Sequence, residues 1–348
     1  MKVLCMHTAG LGELVAMSLA ADVDAHVVYA DDSAVVINTK AAESKIGSLA
    51  YVKNCFVVLG SVPRRRDLAE AVGTVSGQVP GWRLQRTGKP YRLMFSEDGK
   101  LTGVPGNARA RLEAAVSRAT AGRLQPRGGG DEYWTIGRRD LDEILFCRRL
   151  PRPKRPETPK GGLAPDVATL IVNAIGRSRP GDVVLDPFAG SGALIAARIQ
   201  QPFREAICSD LGFADGSVRL LPQLARRKDV RALSDDARTL TSLPDDTIDV
   251  VVTDPPWGEF DQQDSPPSEL VAAALGGIRR VLRDNGSLAM LVARRLAGEV
   301  AAEWTGSGFA IKKSYDLLIN GHPATLFVGA PVPVSADDPT AATPVPGS

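Results

Sequence analysis

One stretch near the middle of the chain, VVLDPFAGSGAL from Val183 to Leu194, constrains the fold most strongly. Its first residues are apolar and β-branched, which is typical of a short buried strand. The strand is expected to end at Asp186, and the chain then passes through the glycine turn Gly190–Gly192 into an apolar, helix-like segment. Strand, glycine turn and helix in this order begin a doubly wound α/β unit, whose ligand binds at the carboxyl end of the strand. Glycine in the turn lets the backbone approach a ligand closely.

The glycine spacing argues against a nicotinamide cofactor. The dinucleotide fingerprint G-x-G-x-x-G requires a third glycine, and Ile195 stands at that position. The order of the acid, the aromatic residue and the two glycines instead resembles motif I of class I S-adenosylmethionine-dependent methyltransferases. A strand-turn-helix without a ligand is the alternative interpretation. The resemblance implies that S-adenosylmethionine binds to Asp186, Phe188, Ala189, Gly190 and Gly192.

A second stretch, from Ile248 to Glu259, sharpens the interpretation. A buried strand is predicted to run directly into Asp254-Pro255-Pro256-Trp257. The two prolines end the strand because neither donates a backbone hydrogen bond. They also hold the preceding residues in extended conformations. The Asp254 carboxylate and the Pro255 carbonyl can therefore face one pocket as two acceptors, with Trp257 as its wall.

Two fixed acceptors beside an aromatic ring suit a planar substrate that carries an NH2 group. The amino nitrogen of a base is a poor nucleophile because its lone pair is delocalised into the ring. Acceptors for both N–H bonds stabilise the positive charge that develops during methyl transfer. The Asp-Pro-Pro-aromatic sequence resembles motif IV of amino-group methyltransferases, and its catalytic residues here would be Asp254, Pro255 and Trp257. A proline-stiffened surface turn is the alternative.

Two further acidic positions are candidates for binding the cofactor. Asp210 follows the next strand-like segment, 18 residues after Gly192, and an acid at this place in dinucleotide-type sites holds ribose hydroxyls. Leu211 is assigned to the same site. Asp236 and Ala237 resemble the third motif of these methyltransferases, in which an acid before a small residue reaches the adenine amino group. The neighbouring Asp235 is interpreted as a turn residue.

Charge is distributed unevenly along the chain. Residues 51–160 contain 22 Lys and Arg against 11 Asp and Glu, whereas residues 161–348 contain 17 against 23. A basic front attached to an acidic half suggests that the front meets a polyanion. A solvated, arginine-rich surface is the alternative. The candidate phosphate-binding residues are Arg109, Arg111, Arg118, Arg123 and Arg127.

The length of 348 residues accommodates about two domains. The predicted fold class is α/β: a Rossmann-like class I methyltransferase domain preceded by an α+β, ferredoxin-like and THUMP-like RNA-binding region. The expected divisions are a ferredoxin-like module (1–60), a THUMP-like module (61–150), a proline-rich basic linker (151–165), the methyltransferase domain (166–330) and a disordered tail (331–348).

The end of the linker has two possible roles. Gly162-Leu163-Ala164-Pro165 stands in a place similar to that where THUMP-type methyltransferases close a small loop against the cofactor, although the segment could equally be a plain tether. Asp166 is predicted to be the N-cap of the helix that follows.

Residues 152–330 resemble the catalytic domain of THUMP-containing tRNA guanosine-N2-methyltransferases, and residues 1–150 resemble their front half. The resemblance implies methyl transfer from S-adenosylmethionine, without a metal, to the exocyclic amine of a guanine in tRNA. Members of this family often carry a basic residue soon after the DPPY-like motif, whereas Gly258-Glu-Phe-Asp follows here. Amine methylation is therefore predicted more firmly than recognition of guanine.

Three other functions remain open. A DNA adenine-N6 or cytosine-N4 methyltransferase shares these motifs, but no separate target-recognition domain is evident. A protein glutamine methyltransferase would not need the basic front. An RNA-binding protein could retain the methyltransferase domain without activity, although the intact acids argue against it.

Composition also bears on where the protein works. No run of apolar residues approaches the roughly 18 of a membrane span, and the chain begins without the pattern of a secretion signal. The four cysteines show neither metal-ligand nor disulfide spacing. We expect a reduced, cytoplasmic setting, and the sequence does not indicate an oligomeric state.

Overall fold

The structure, a computed structural model, describes residues 1–64, 67–127, 129–152, 162–176, 178–258, 266–319 and 321–333. The chain divides into two compact units, Met1–Pro156 and Glu157–Ser348. The division falls within the expected linker, most of which lies outside the described residues, as does nearly all of the expected tail.

The described residues of the front unit form eight strands and four helices. The strands are β1 (Lys2–Met6), β2 (His26–Ala30), β3 (Ala34–Asn38), β4 (Asn54–Pro63), β5 (Tyr91–Glu97), β6 (Lys100–Leu101), β7 (Asp131–Gly137) and β8 (Glu143–Arg149). The helices are α1 (Gly12–Val23), α2 (Glu43–Gly47), α3 (Leu68–Gln78) and α4 (Gly106–Thr120). All the strands belong to one sheet in the order β2-β3-β1-β4-β8-β7-β5-β6.

Helices α3 and α4 pack together over the second half of this sheet. Val72 and Val75 of α3 and Leu112 and Val116 of α4 are buried against strand residues such as Phe146. The spacing of these apolar residues, three or four apart, places them on one side of each helix. Burial of that side explains why two helices with many polar residues form at these positions.

Strand β4 joins the parts of the front half that were expected to be separate modules. It pairs with β1 on one side and with β8 on the other, both antiparallel. The expected boundary at residue 60 therefore lies inside a strand, and the hydrogen-bonded sheet continues across it. Residues 1–60 and 61–150 fold as parts of one unit.

The described residues of the second unit contain seven strands and five helices. The strands are β9 (Val183–Asp186), β10 (Glu205–Ser209), β11 (Val230–Leu233), β12 (Ile248–Thr253), β13 (Leu282–Ala293), β14 (Phe309–Ile319) and β15 (His322–Pro331). The helices are α5 (Pro165–Ile175), α6 (Ala193–Arg198), α7 (Pro222–Ala225), α8 (Pro267–Val281) and α9 (Ala297–Gly306).

These strands form a sheet in the order β11-β10-β9-β12-β13-β15-β14. The first five strands are parallel to one another, and β15 is antiparallel to both β13 and β14. Strand order reverses between β9 and β12, because β10 and β11 extend from one side of β9 and β12 lies on the other. In doubly wound sheets the ligand binds at such a reversal, outside the carboxyl ends of the strands. The predicted fold class and the reversed final hairpin are confirmed.

The core of the second unit explains the apolar runs of the sequence. Leu185 and Val251 of the central strands pack with Leu275 and Ile278 of α8 and with Trp304 of α9. A strand buried on both faces needs a continuous apolar run rather than an alternating one. The VVL and VVV segments meet this requirement.

One local prediction about this unit is wrong. Asp166 is not the N-cap of α5: the helix begins at Pro165, its N-cap is Ala164, and no side chain caps it. Proline is favoured at the first helical position because its ring already holds φ at a helical value. Asp166 lies in the first turn and is buried.

Two sequence expectations about composition can be compared with the structure. No helix of the described chain is long and apolar enough to cross a membrane. Cys5, Cys55, Cys147 and Cys208 are all buried and free.

Candidate active site

Asp186 and the Asp254 segment lie where the strand order reverses. Strands β9 and β12 are hydrogen-bonded neighbours, with Leu185 opposite Val251. Asp186 is the last residue of β9, and Asp254 follows the last residue of β12. The two motifs, almost seventy residues apart in the sequence, are thus brought to one edge of the sheet.

A cavity of about 380 Å³ opens at this edge. This volume is within the range of small-molecule sites. Five of the residues predicted to form the site line it, namely Asp186, Phe188, Ala189, Gly190 and Asp254. Gly162 and Leu163 also line it. The end of the expected linker that the structure describes therefore lies at the cavity, as expected of a loop that closes against the cofactor.

Asp186 is the most buried acid at the cavity, at 2% exposure. Burial raises the pKa of its carboxyl to about 8, and the hydrogen bond from the backbone N–H of Phe188, 3.1 Å from Oδ1, opposes that rise. The nearby charges of Asp254 and Asp210 raise the pKa further. Because no cation is paired with Asp186 among the described residues, a positively charged ligand would stabilise its ionised form.

Asp254 experiences a similar environment. Burial raises the pKa of its carboxyl to about 7, while a hydrogen bond from the Trp257 indole opposes the shift. The indole nitrogen Nε1 lies 2.9 Å from Asp254 Oδ1. Pro255 is buried beside it. The acid of the second motif is therefore held near the strand end, although Pro255 and Trp257 do not line the cavity.

Asp210 joins the first glycine turn to the loop after β10. Its Oδ2 accepts the backbone N–H of Gly190 at 2.9 Å, and its Oδ1 accepts that of Gly212, also at 2.9 Å. The side chain therefore organises two backbone segments at the edge of the cavity, and it is not itself part of the cavity lining. A carboxylate oxygen can accept a second hydrogen bond, so these contacts leave Asp210 able to bind a hydroxyl.

The two glycines of the first motif have different surroundings. Gly190 has a φ of +50°, lines the cavity and has open space where a Cβ would stand. Gly192 has a φ of +86°, and a Cβ there would lie 2.4 Å from the Leu224 side chain of α7. The expectation of close approach to a ligand thus fits Gly190, whereas Gly192 is needed for packing.

The residues of the third motif are occupied by contacts within the protein. Asp236 forms a bidentate ion pair with Arg238, and Ala237 is buried. Asp235, interpreted from the sequence as a turn residue, accepts the Thr241 hydroxyl and the Ser242 N–H. Neither Asp236 nor Ala237 lines the cavity, and the same is true of the exposed Leu211. Their roles in cofactor binding stay predictions.

Three residues of the loop before α7 were not predicted. Ser217, Val218 and Arg219 line the cavity, where Arg219 adds the only cationic side chain among the described lining residues. No periodicity or motif in the sequence marks this loop as part of a site. Ser191, Ala193 and Leu194 complete the lining, and their position directly after Gly190 could have indicated them.

No family model matches the chain. A tRNA (guanine(10)-N2)-dimethyltransferase of Methanothermobacter thermautotrophicus is 32% identical over 142 residues. The match covers 37% of this chain and 41% of the relative, so it spans less than half of that protein.

Solved structures match over almost the whole chain. TrmN from Thermus thermophilus has a TM-score of 0.70 at 20% identity and matches 95% of this chain and 99% of its own. SMU.472 in complex with SAH has a TM-score of 0.63 at 13% identity and matches 96% of this chain and 98% of its own. At these identities the structures establish the fold. The chain therefore has a class I methyltransferase fold, and part of it is similar in sequence to a tRNA (guanine(10)-N2)-dimethyltransferase, in agreement with the resemblance that the motifs indicated.

Proposed function

We propose that the protein transfers a methyl group from S-adenosylmethionine to the exocyclic amino group of a base in RNA, namely N2 of guanosine in tRNA. The observation that carries the proposal is the half-buried Asp254 carboxyl, which follows β12 directly and lines the same cavity as Asp186. An acceptor for the amine and an acidic ligand site are thereby next to each other.

The cavity suits S-adenosylmethionine because its buried acids favour a cation. When bound, this cofactor supplies an electrophilic methyl group on a positively charged sulfonium. Asp186 balances positive charge in the cavity, and the backbone around Gly190 is held in place by Asp210. The presence of SAH, the demethylated form of this cofactor, in the similarly folded SMU.472 agrees with the assignment.

Asp254 and the Pro255 carbonyl accept the N–H bonds of the substrate amine. These hydrogen bonds strengthen as the nitrogen gains positive charge, so they favour the transition state over the ground state. A base within a stem must leave the stack before its amine can be reached, which costs a few kcal/mol. Stacking of the base on Trp257 would return about 1–3 kcal/mol.

Contacts within the front unit separate its arginines into two groups. Arg64, Arg92, Arg138, Arg148 and Arg149 are each paired with an acid. By contrast, Arg109, Arg111, Arg118, Arg123 and Arg127 make no ion pair with a described residue and are the ones predicted to bind phosphate. A cation without an ion pair can neutralise a phosphate without separating from an acid, so the second group supports RNA docking.

Three of the unpaired arginines belong to one surface. The segments 82–90 and 121–127 run side by side, because Gly88 and Tyr91 donate backbone hydrogen bonds to Thr120 and Arg123. These two segments and the last turn of α4 carry a basic patch of exposed cations, which consists of Arg86, Lys89, Arg118, Arg123 and Arg127. Arg109 and Arg111 lie near the other end of α4. We assign RNA docking chiefly to the basic patch.

The choice of tRNA and of guanine N2 rests on the relative. The 32% identical protein is named as a tRNA (guanine(10)-N2)-dimethyltransferase, and the amine-acceptor arrangement described above suits that chemistry. Adenine N6 and cytosine N4 are also exocyclic amines, so the experiment has to distinguish these products.

The test is methylation of unmodified tRNA by the purified chain with isotopically labelled S-adenosylmethionine, followed by nuclease digestion and mass spectrometry. We expect labelled N2-methylguanosine. The Asp254→Ala variant should lower turnover by at least about 100-fold and bind cofactor and tRNA nearly as the wild type does. Asp284→Ala, a change at an acid that is 65% exposed in its side chain, is the matched control.

Several results would contradict the proposal. A methyl group on carbon or on a ribose oxygen would overturn the amine mechanism. Labelled N6-methyladenine or N4-methylcytosine in DNA, with no product in tRNA, would replace the proposed substrate by DNA. Full activity of Asp254→Ala would remove that residue from the site.

A further inference from the structure

We propose that Trp257 is a positioning residue for Asp254: its indole N–H holds Oδ1 of the carboxylate and thereby leaves Oδ2 for the substrate amine. This inference rests on the proposed function, and it adds to the stacking role of the ring. The observation behind it is the hydrogen bond of 2.9 Å between Trp257 Nε1 and Asp254 Oδ1 at the edge of a buried site.

Trp257 is fixed in place by contacts that do not involve Asp254. The Arg295 guanidinium donates a hydrogen bond to the Trp257 carbonyl oxygen. The ring packs against the core of the second unit. The next residue, Gly258, has a φ of +75° and lies against Pro267, where a Cβ would stand 2.4 Å from the proline ring. The indole is therefore a fixed donor rather than a mobile one.

A fixed donor determines the orientation of a carboxylate that must accept a hydrogen bond from an amine. Rotation about χ2 would otherwise exchange the two oxygens and change the direction of their lone pairs. With Oδ1 bound to the indole, Oδ2 keeps its full capacity to accept from the substrate, and its direction is set. Phenylalanine keeps an aromatic ring for stacking and lacks this donor, and tyrosine carries its hydroxyl at a different position.

The same hydrogen bond opposes the effect of burial on the Asp254 carboxyl. Burial raises its pKa to about 7, and the indole lowers it. A hydrogen bond that favours the charged form stabilises the ionised carboxylate, and only that form offers acceptors on both oxygens. Loss of the indole N–H should therefore raise the pKa and reduce the ionised fraction at neutral pH.

Substitution of Trp257 does not remove any of the other charged groups near Asp254. Asp186 faces it across the cavity, and Arg219 lines the same cavity. Asp210 lies beyond the first glycine turn, and Arg295 contacts the Trp257 backbone. A difference between wild type and a Trp257 variant therefore reports on the indole N–H.

The first experiment follows the indole signals of the 15N-labelled full chain by NMR between pH 5.5 and 8.5. We expect the Trp257 N–H signal to shift with a midpoint near 7, because its acceptor titrates there. Trp134 is an internal control: its indole donates to Glu132. Although burial raises the pKa of Glu132, hydrogen bonds from Arg92, Trp134 and Arg149 hold it below the usual value, so the Trp134 signal should stay constant.

The second experiment titrates the Asp254 carboxyl by 13C NMR of carboxyl-labelled aspartate, with Asp254→Asn to assign the signal. In Trp257→Phe the midpoint should rise by about one pH unit, whereas Trp134→Phe should leave it unchanged. Should Trp257→Phe fail to fold, 3-benzothienylalanine at position 257 keeps the bicyclic ring and replaces N–H by sulfur. It should produce the same shift.

The outcomes separate this inference from the proposed function. The positioning role would be overturned, even in an active methyltransferase, by either of two results. One is an Asp254 titration midpoint that is unchanged in both Trp257 variants, and the other is a Trp257 N–H signal that does not shift with pH. If the predicted shifts occur in a protein that methylates no RNA, the positioning role of Trp257 is supported and the proposed RNA substrate is wrong. In an active protein, the acid limb of the kcat/KM profile should move to higher pH in Trp257→Phe, with activity recovering at alkaline pH.

Discussion

Asp186, at the end of β9, and Asp254, directly after β12, line the same cavity because the two strands are parallel, hydrogen-bonded neighbours. Burial raises the pKa of the Asp186 carboxyl to about 8 and that of the Asp254 carboxyl to about 7. The charge of Asp254 is one of the causes that raise the pKa of Asp186, so the two carboxyls interact. At neutral pH the pair retains protons, which a cationic ligand would displace. Cofactor binding and proton release should therefore be linked.

We predict that the affinity for S-adenosylmethionine rises with pH up to about 8 and then levels off. Below that pH the ligand must displace a proton from Asp186, which weakens binding by at most about tenfold per pH unit for one linked proton. Calorimetry in buffers of different ionisation enthalpy measures both the affinity for the cofactor and the number of protons released on binding. Asp186→Asn should bind weakly with a flat pH profile, and an equally steep profile in that variant would place the linked proton elsewhere.

Asp186→Asn should also make the apo protein more stable at alkaline pH. The pKa of the carboxyl is about 8 in the folded protein, against an ordinary value of 3.8 for an aspartate in water, so the folded state holds the proton more tightly than the unfolded chain does. The contribution of this group to the free energy of unfolding of the wild type is therefore lost as pH rises from about 4 to about 8. Asparagine keeps the acceptor for the Phe188 N–H and avoids this loss.

The expected size of this effect is a Tm about 5 °C or more above the wild type at pH 8.5, with a smaller difference at pH 5. Scanning calorimetry at the two pH values tests it. A lower Tm for the variant at pH 8.5 would show that Asp186 is already ionised and stabilised in the apo protein.

The two turn glycines should respond differently to alanine. Gly192→Ala combines a φ of +86° with contact to Leu224, and we expect a loss of about 2–4 kcal/mol in the free energy of unfolding. Gly190→Ala, in open space, should cost about 1 kcal/mol and weaken cofactor binding instead. Denaturant titration with a cofactor-binding assay separates the two, and equal stability losses would contradict the packing role of Gly192.

Removal of charge from the basic patch should weaken RNA binding. We expect the triple change of Arg118, Arg123 and Arg127 to Gln to lower tRNA affinity at low salt and to reduce the slope of log affinity against log salt by about 2–3. The matched control changes the exposed lysines 40, 45 and 53 to Gln, which removes the same charge elsewhere on the front unit. Similar losses in both variants would show that net charge, rather than the patch, governs docking.

Much of the second unit could be predicted from the sequence because its information is local. The apolar run before Asp186 and the prolines after Asp254 set strand ends, and parallel strands bring their carboxyl ends to one edge. The same reasoning placed Asp210 correctly at the end of β10, but it did not reveal that this side chain binds Gly190 and Gly212.

Other features depend on contacts that no local pattern encodes. The role of Gly192 depends on Leu224, thirty-two residues later, and a positive φ allows glycine either to approach a ligand or to pack closely. Arg219 reaches the cavity from an irregular loop. The hydrogen bond from Trp257 to Asp254 requires a specific rotamer, whereas the sequence indicates only that an aromatic residue stands there.

The central position of β4 determines where the front unit can be cut. A fragment that begins at residue 61 would lose most of this strand and leave the edge of β8 without a partner. A fragment that begins at Asn54 would keep the strand but expose the edge that β1 covers, with Cys55, Phe56 and Val57 in it. Uncovered edges rich in apolar residues pair with other chains and aggregate. An isolated front unit should therefore be produced with the first fifty-three residues attached.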